Sequence, residues 1–364
     1  MQLNNFMLDR YAKEAPQLLA SVTGEEDDHH IMKRDATSDF CVKFEGGLCG
    51  IQSKLGEEFL GDACYFYPRV VRKLGTTTTF TAALSCPEIT RLTLFEEGAF
   101  AQDIHQEAGR IPERLQNYLP DPLTADQAWK LHRIFLEYAL TPDVTAERSL
   151  MRIFSAMESL MRIPVASWLE SAPFYLDQAD ATLPAPEPRD TDTVYLLQAL
   201  CGLVAAAKKL RNTRLMKTIA EMERALHVRI PWDTLAIATF PDSSHAMLTL
   251  HARWQQEWKT HFSVLLKRYL AAQLSQALFP FAGFGQTPSQ RIAIIGIRLA
   301  TVKLAIMSAC TEAGGVAAEK EVIRVVQSLS RLLDHLAEPE FSLKIYQETG
   351  WLQKRRLRAL LGDA

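Results

Sequence analysis

SQRIAIIGIRLATVKLAIMSAC, residues 289–310, decides the fold class. From Ile292 to Cys310 this run is apolar except for small polar residues and two cations, Arg298 and Lys303. A charge at the middle of a membrane-spanning helix is costly, so the run reads as a helix buried inside a protein core. A helix apolar on all sides needs other helices around it. The chain supplies them. Thr124 with Gln127 predicts a capping box, followed by Trp129, Ile134, Phe135 and Tyr138 at helical spacing. Leu150, Ile153, Phe154, Met157, Leu160 and Met161 continue the pattern from about Val144 to Ile163, where Pro164 stops it. Helical periodicity recurs over Val194–Leu226, His245–Phe279 and Val316–Leu336. Successive long helices with few strands and no internal repeat predict a mainly α fold with a multi-helix body.

Upstream the texture changes. Cys41, Cys49, Cys64 and Cys86, spaced C-x7-C-x14-C-x21-C, lie among the punctuating residues Gly46-Gly47, Gly56, Gly61, Tyr67-Pro68-Arg69, Gly75 and Ser85-Cys86-Pro87-Glu88. Val70 to Leu84 reads as two extended runs around Gly75, a short β-hairpin. The expected organisation is a small irregular Cys-rich region over 1–95 and a helical body over 96–364. Residues 177–192, rich in Pro, Ala and acid, read as a linker or long loop. Ser85-Cys86-Pro87-Glu88 has the S-x-x-E form of a capping box with proline in the first turn, which puts Cys86 at a helix N-terminus, where thiolate is favoured over thiol. Glu88 and Arg91, three residues apart, are placed to pair.

Composition bounds the rest. The chain has 364 residues, 48% hydrophobic and 23% charged, with a net charge of −3. That is an ordinary globular composition with no broad nucleic-acid-binding surface. The first ten residues lack a basic segment followed by an apolar one, so the expected compartment is cytoplasmic and reducing, without membrane insertion. There, clustered cysteines serve metals or redox chemistry more often than structural disulfides. Thiolates suit zinc and iron–sulfur clusters, yet this wide spacing by itself would equally describe core thiols. Cys201 and Cys310 read as buried apolar thiols. The acidic run Glu25-Glu26-Asp27-Asp28 with His29-His30 reads as a solvated loop before a metal site. The remaining histidines, from His105 to His335, are scattered, and His251 with Trp254, Trp258 and Phe262 follows helical core spacing. The basic segment from Trp351 to Arg358 reads as a solvated terminal helix, or as a dock for an acidic partner. Gly283-Phe284-Gly285 comes after no strand and reads as a loop, not as a dinucleotide-binding turn.

The ordered run Phe40-Cys41…Gly47-Leu48-Cys49-Gly50-Ile51-Gln52…Leu55-Gly56-Glu57…Leu60…Cys64…Tyr67-Pro68-Arg69…Leu84-Ser85-Cys86-Pro87-Glu88…Arg91-Leu92 resembles the FliB-type flagellin lysine N-methylases. Tyr269-Leu270 and Leu278-Phe279-Pro280-Phe281 are similar to the same family, which extends the likeness over about residues 3–340. The resemblance implies a cytoplasmic enzyme that moves a methyl group from S-adenosylmethionine to lysine amines of flagellin before export. It also implies a cysteine-bound iron–sulfur cluster of the 4Fe-4S kind, with zinc as the alternative. Carried over by position, Cys41, Cys49, Cys64 and Cys86 are the metal ligands. Tyr67, Arg69 and Glu88 are the catalytic candidates, and Arg69 and Arg91 the cofactor-binding ones. The family opens with a tight cluster that includes a Cys-Cys pair. This chain has none before Cys41, and its Leu3…Leu8-Asp9-Arg10-Tyr11 resembles the family's segment just C-terminal to that cluster. The expectation is therefore either a start further upstream or a lineage that has lost part of the site. The second case predicts a non-catalytic flagellin-binding or metal-binding helical protein.

Overall fold

A computed structural model describes residues 2–24, 30–37, 40–101, 110–112, 115–179, 183–187, 196, 200, 213–229, 238–239, 246–335 and 339–362. The acidic run with His29, Cys201, His105 and His245, and most of the expected helix before Thr213, lie outside these residues. The chain divides into two compact units, one of Met1–Val71 with Ala108–Leu115 and one of Arg72–Glu107 with Gln116–Ala364.

In the first unit, β1 (Gln2–Leu3) leads into α1 (Asn5–Glu14), which Asn4 caps by accepting from the Met7 N–H. β2 (Val22–Gly24) and β3 (His30–Met32) come next, and the three strands pair antiparallel in the order β1-β3-β2. β4 (Phe44–Glu45) and β5 (Leu48–Cys49) form a two-residue ladder turned by Gly46 and Gly47, both at positive φ as such a turn requires. Two short helices, α2 (Gly50–Leu55) and α3 (Asp62–Phe66), complete it. Its core is small: Leu3, Met7, Tyr11, Ala15, Leu18, Met32, Ile51, Phe59 and Leu60. So modest an apolar cluster leaves polar contacts a larger share of the work of holding the loops.

The second unit is the helical body. It opens with the predicted hairpin, β6 (Arg69–Leu74, which begins in the first unit) and β7 (Thr77–Ala82), turned at Gly75 with φ 62°. α4 (Pro87–Phe95), α5 (Ala125–Ala139), α6 (Ala146–Leu160) and α7 (Trp168–Gln178) succeed it. Then come α8 (Thr213–Ala225), α9 (Ala246–Glu257), a π-helical turn over Trp258–Phe262, and α10 (Ser263–Gln276). α11 (Pro288–Ala313), α12 (Glu319–His335), α13 (Pro339–Glu348) and α14 (Lys354–Leu361) end the chain. The protein is mainly α, and the capping box predicted at Thr124 and Gln127 is formed. A second one, Thr287 with Gln290, starts α11, and Gly314 in the left-handed region ends it.

α11 is the axis of this unit, packed by α6, α8, α9, α10, α12 and α14. It is long and apolar enough to span a membrane, and 94% of its most apolar window is buried in protein. Its two cations are answered within the fold. Arg298 donates to Gln273 Oε1 at 3.1 Å and to the Leu333 carbonyl at 2.8 Å. Lys303 Nζ donates to the Leu361 carbonyl at 2.8 Å and pairs with buried Glu147 at 2.5 Å. α8 is tied to α12 by a second pair, half-buried Arg324 with buried Glu221 at 2.7 Å.

The basic terminal segment departs from its expected solvation. α14 packs on α11 and α6, and Trp351, Leu357, Leu360 and Leu361 are fully buried. Arg356, 2% exposed, donates to the carbonyls of Glu187 at 2.5 Å and Thr349 at 3.5 Å. The apolar stripe outweighs the charges because backbone carbonyls meet the guanidinium inside the fold. The capping box expected at Ser85 is also not formed. α4 does begin at Pro87 with Cys86 as its N-cap, but no side chain caps it. Ser85 stands one position too early and is buried, its carbonyl accepting from Gln327 Nε2 at 3.0 Å.

This packing carries two expected outcomes. A Cβ at Gly296 would lie 2.8 Å from Leu357 Cδ2 and 3.0 Å from Leu150 Cδ2, both side chains fully buried. Gly296→Val lowers the unfolding free energy of the chain by about 1–3 kcal/mol in urea titrations. His132 on α5 donates through Nδ1 to the Phe279 carbonyl at 2.8 Å. Burial holds its pKa at about 4 against an ordinary 6.5, partly offset by that bond. Below pH 6.5 the unfolded chain takes up a proton that the folded chain refuses until about pH 4, so stability is lost as pH falls through that window. His132→Gln flattens the acid limb by up to about 1.4 kcal/mol per pH unit, read from urea midpoints between about pH 7 and 4.5.

Candidate functional site

Three of the four head cysteines share the small core of the first unit. Cys41, Cys49 and Cys64 all pack against the cluster that contains Met7 and Tyr11. Local structure explains each placement. Cys41 forms an isolated bridge with Arg34, and its carbonyl accepts from the Phe44 N–H at 2.8 Å. Cys49 pairs with Phe44 in the β4–β5 ladder and is the N-cap residue of α2. Cys64 lies in α3, its N–H bonded to the Gly61 carbonyl at 2.9 Å. Folding back through Gly46, Gly47 and Gly56 overcomes the wide spacing in sequence.

Tyr11 is the polar centre of this core. Its hydroxyl donates to the Phe59 carbonyl at 2.7 Å, with the ring fully buried. Burial, then the neighbouring Cys49 and Cys41, push the phenol up to about 12, against a smaller opposing pull from Arg110. Arg110 ion-pairs with Asp62 and donates to the Leu60 carbonyl at 2.8 Å. Its guanidinium lies 5.2 Å from the Tyr65 ring centroid. Arg69 reaches the same ring, at 5.6 Å, while Nη1 donates to the Tyr65 carbonyl at 2.7 Å. Tyr65 is thus flanked by two guanidiniums, beside a partly buried Cys64. Tyr67 is 46% exposed. Sequence reasoning singled out Arg69 and Tyr67 and missed Tyr11, Tyr65 and Arg110. Arg110 is remote in sequence and has no motif around it.

The other predicted site residues belong to the second unit. Cys86 is the N-cap of α4. Glu88 and Arg91 form the expected pair, Arg91 Nη2 to Glu88 Oε1 at 2.8 Å and Nε to Oε2 at 3.0 Å. Arg91 also holds Glu96 at 2.6 Å. The hydrogen bond from Arg91 keeps the Glu88 carboxyl below its ordinary range, so it is a weaker base than an unpaired carboxylate. Both side chains face solvent.

The donor chemistry in the first unit, three sulfurs on one core, is of the kind that takes zinc or iron. As placed, these side chains do not fit a closed metal site: among the described residues no three His, Cys, Asp or Glu side chains stand close enough together to hold an ion. No chemical step is therefore derived through a cluster or a zinc. The second family-like block is a core element. Tyr269, Leu270 and Phe279 are buried, and the Phe279 ring meets Phe135 edge-on at 5.2 Å.

Tyr11→Phe leaves the Phe59 carbonyl without its buried donor. The expected loss is about 1–3 kcal/mol of stability in the first unit, read as weaker amide-exchange protection of α1 and α3, with the helical body unchanged. No family model, no curated protein and no solved structure matches this chain.

Proposed function

We infer that the chain is an S-adenosylmethionine-dependent protein-lysine N-methyltransferase of the FliB type, acting on flagellin, in which Cys41, Cys49 and Cys64 of the first unit are the candidate ligands of a 4Fe-4S cluster. The observation that carries this reading is the gathering of Cys41, Cys49 and Cys64 on one small core, adjoining the Tyr67-Pro68-Arg69 segment of the same unit. Cysteines separated by seven and fourteen residues pack on this core without a C-x2-C motif.

The reaction makes two demands on protein groups. The donor's methionyl end carries a carboxylate, and a lysine amine must shed a proton before it can attack a methyl group. Arg69 suits the first demand. Its guanidinium is exposed, is steadied over Tyr65, and presents the planar fork that grips a carboxylate. Glu88 suits the second poorly while Arg91 holds it.

A second reading has its own observation. Phe40, Phe44 and Leu48, beside Cys41 and Cys49, are 58%, 47% and 67% exposed, and the two phenyl rings stand 5.1 Å apart. Together with the unclosed cysteine set, this favours a non-catalytic helical protein that binds flagellin through an apolar head.

Anaerobic purification with iron analysis, and mass spectrometry of co-expressed flagellin, separate the two. The enzyme reading expects a brown protein, added methyl masses on flagellin lysines, and loss of both in Cys49→Ser. Arg69→Gln should keep the iron and lower methyl transfer by about 10–100-fold, the worth of a charge-assisted hydrogen bond. A colourless, iron-free protein that binds flagellin and leaves it unmethylated would overturn the enzyme reading.

A further inference from the structure

We draw no further inference here: the strongest candidate, the recess of about 640 Å³ between α6, α9, α11 and α14 of the helical body, carries nothing, because its arginines already have partners, the unpaired ring nitrogens of His251 and Trp258 are closed off from any water-sized group, and nothing in the structure shows what would fill it.

Discussion

The helical body depends on burying one helix, Pro288–Ala313, whose sequence carries two cations into the core. Burial of an unpaired ammonium or guanidinium would cost more than the surrounding apolar surface returns. Arg298 and Lys303 are therefore the points at which the rest of the unit must arrive correctly. Arg298 requires Gln273 of α10 and the Leu333 carbonyl of α12. Lys303 requires Glu147 of α6 and the Leu361 carbonyl at the end of α14. Four neighbouring helices are thereby registered against one axis by directional contacts, while the apolar stripes supply most of the driving force.

The Lys303 node also borders a recess of about 640 Å³ that His251 and Trp258 help to line. The ammonium lies 5.6 Å from the Trp258 ring centroid and helps keep His251 neutral. One buried ion pair thus serves both the packing of the body and the polarity of this recess.

The cysteine head is built by a different economy. With nine buried apolar side chains in its core, it relies on backbone ladders two or three residues long and on arginines that lie over aromatic rings. Such a unit gains a large fraction of its stability from any cross-link or ligand that its side chains accept. The sulfurs of Cys41, Cys49 and Cys64 around one core are consistent with that need, and Cys86 sits in the helical unit at the head of α4.

Local rules in the sequence settled several elements. The Thr124 and Gln127 capping box, the hairpin around Gly75, Pro87 in the first turn of α4, the Glu88–Arg91 pair and the buried character of residues 292–310 all come from spacing and residue type, because each is decided within a few residues of chain. Ser85 shows the limit: its S-x-x-E pattern was sound, but a single-residue shift of the helix start gave the N-cap to Cys86 and sent Ser85 into the core. The basic tail shows it again, since only the carbonyls of Glu187 and Thr349 make burial of Arg356 tolerable. Arg110 beside Tyr65, and His251 within the field of Lys303, join residues through the fold that no local pattern links. Sequence determined where most of the long helices of the body lie, for helical periodicity is a property of neighbours along the chain. Tertiary structure alone decided which polar atoms found partners and which were left unpaired, because that depends on what the remote chain brings within about 3 Å.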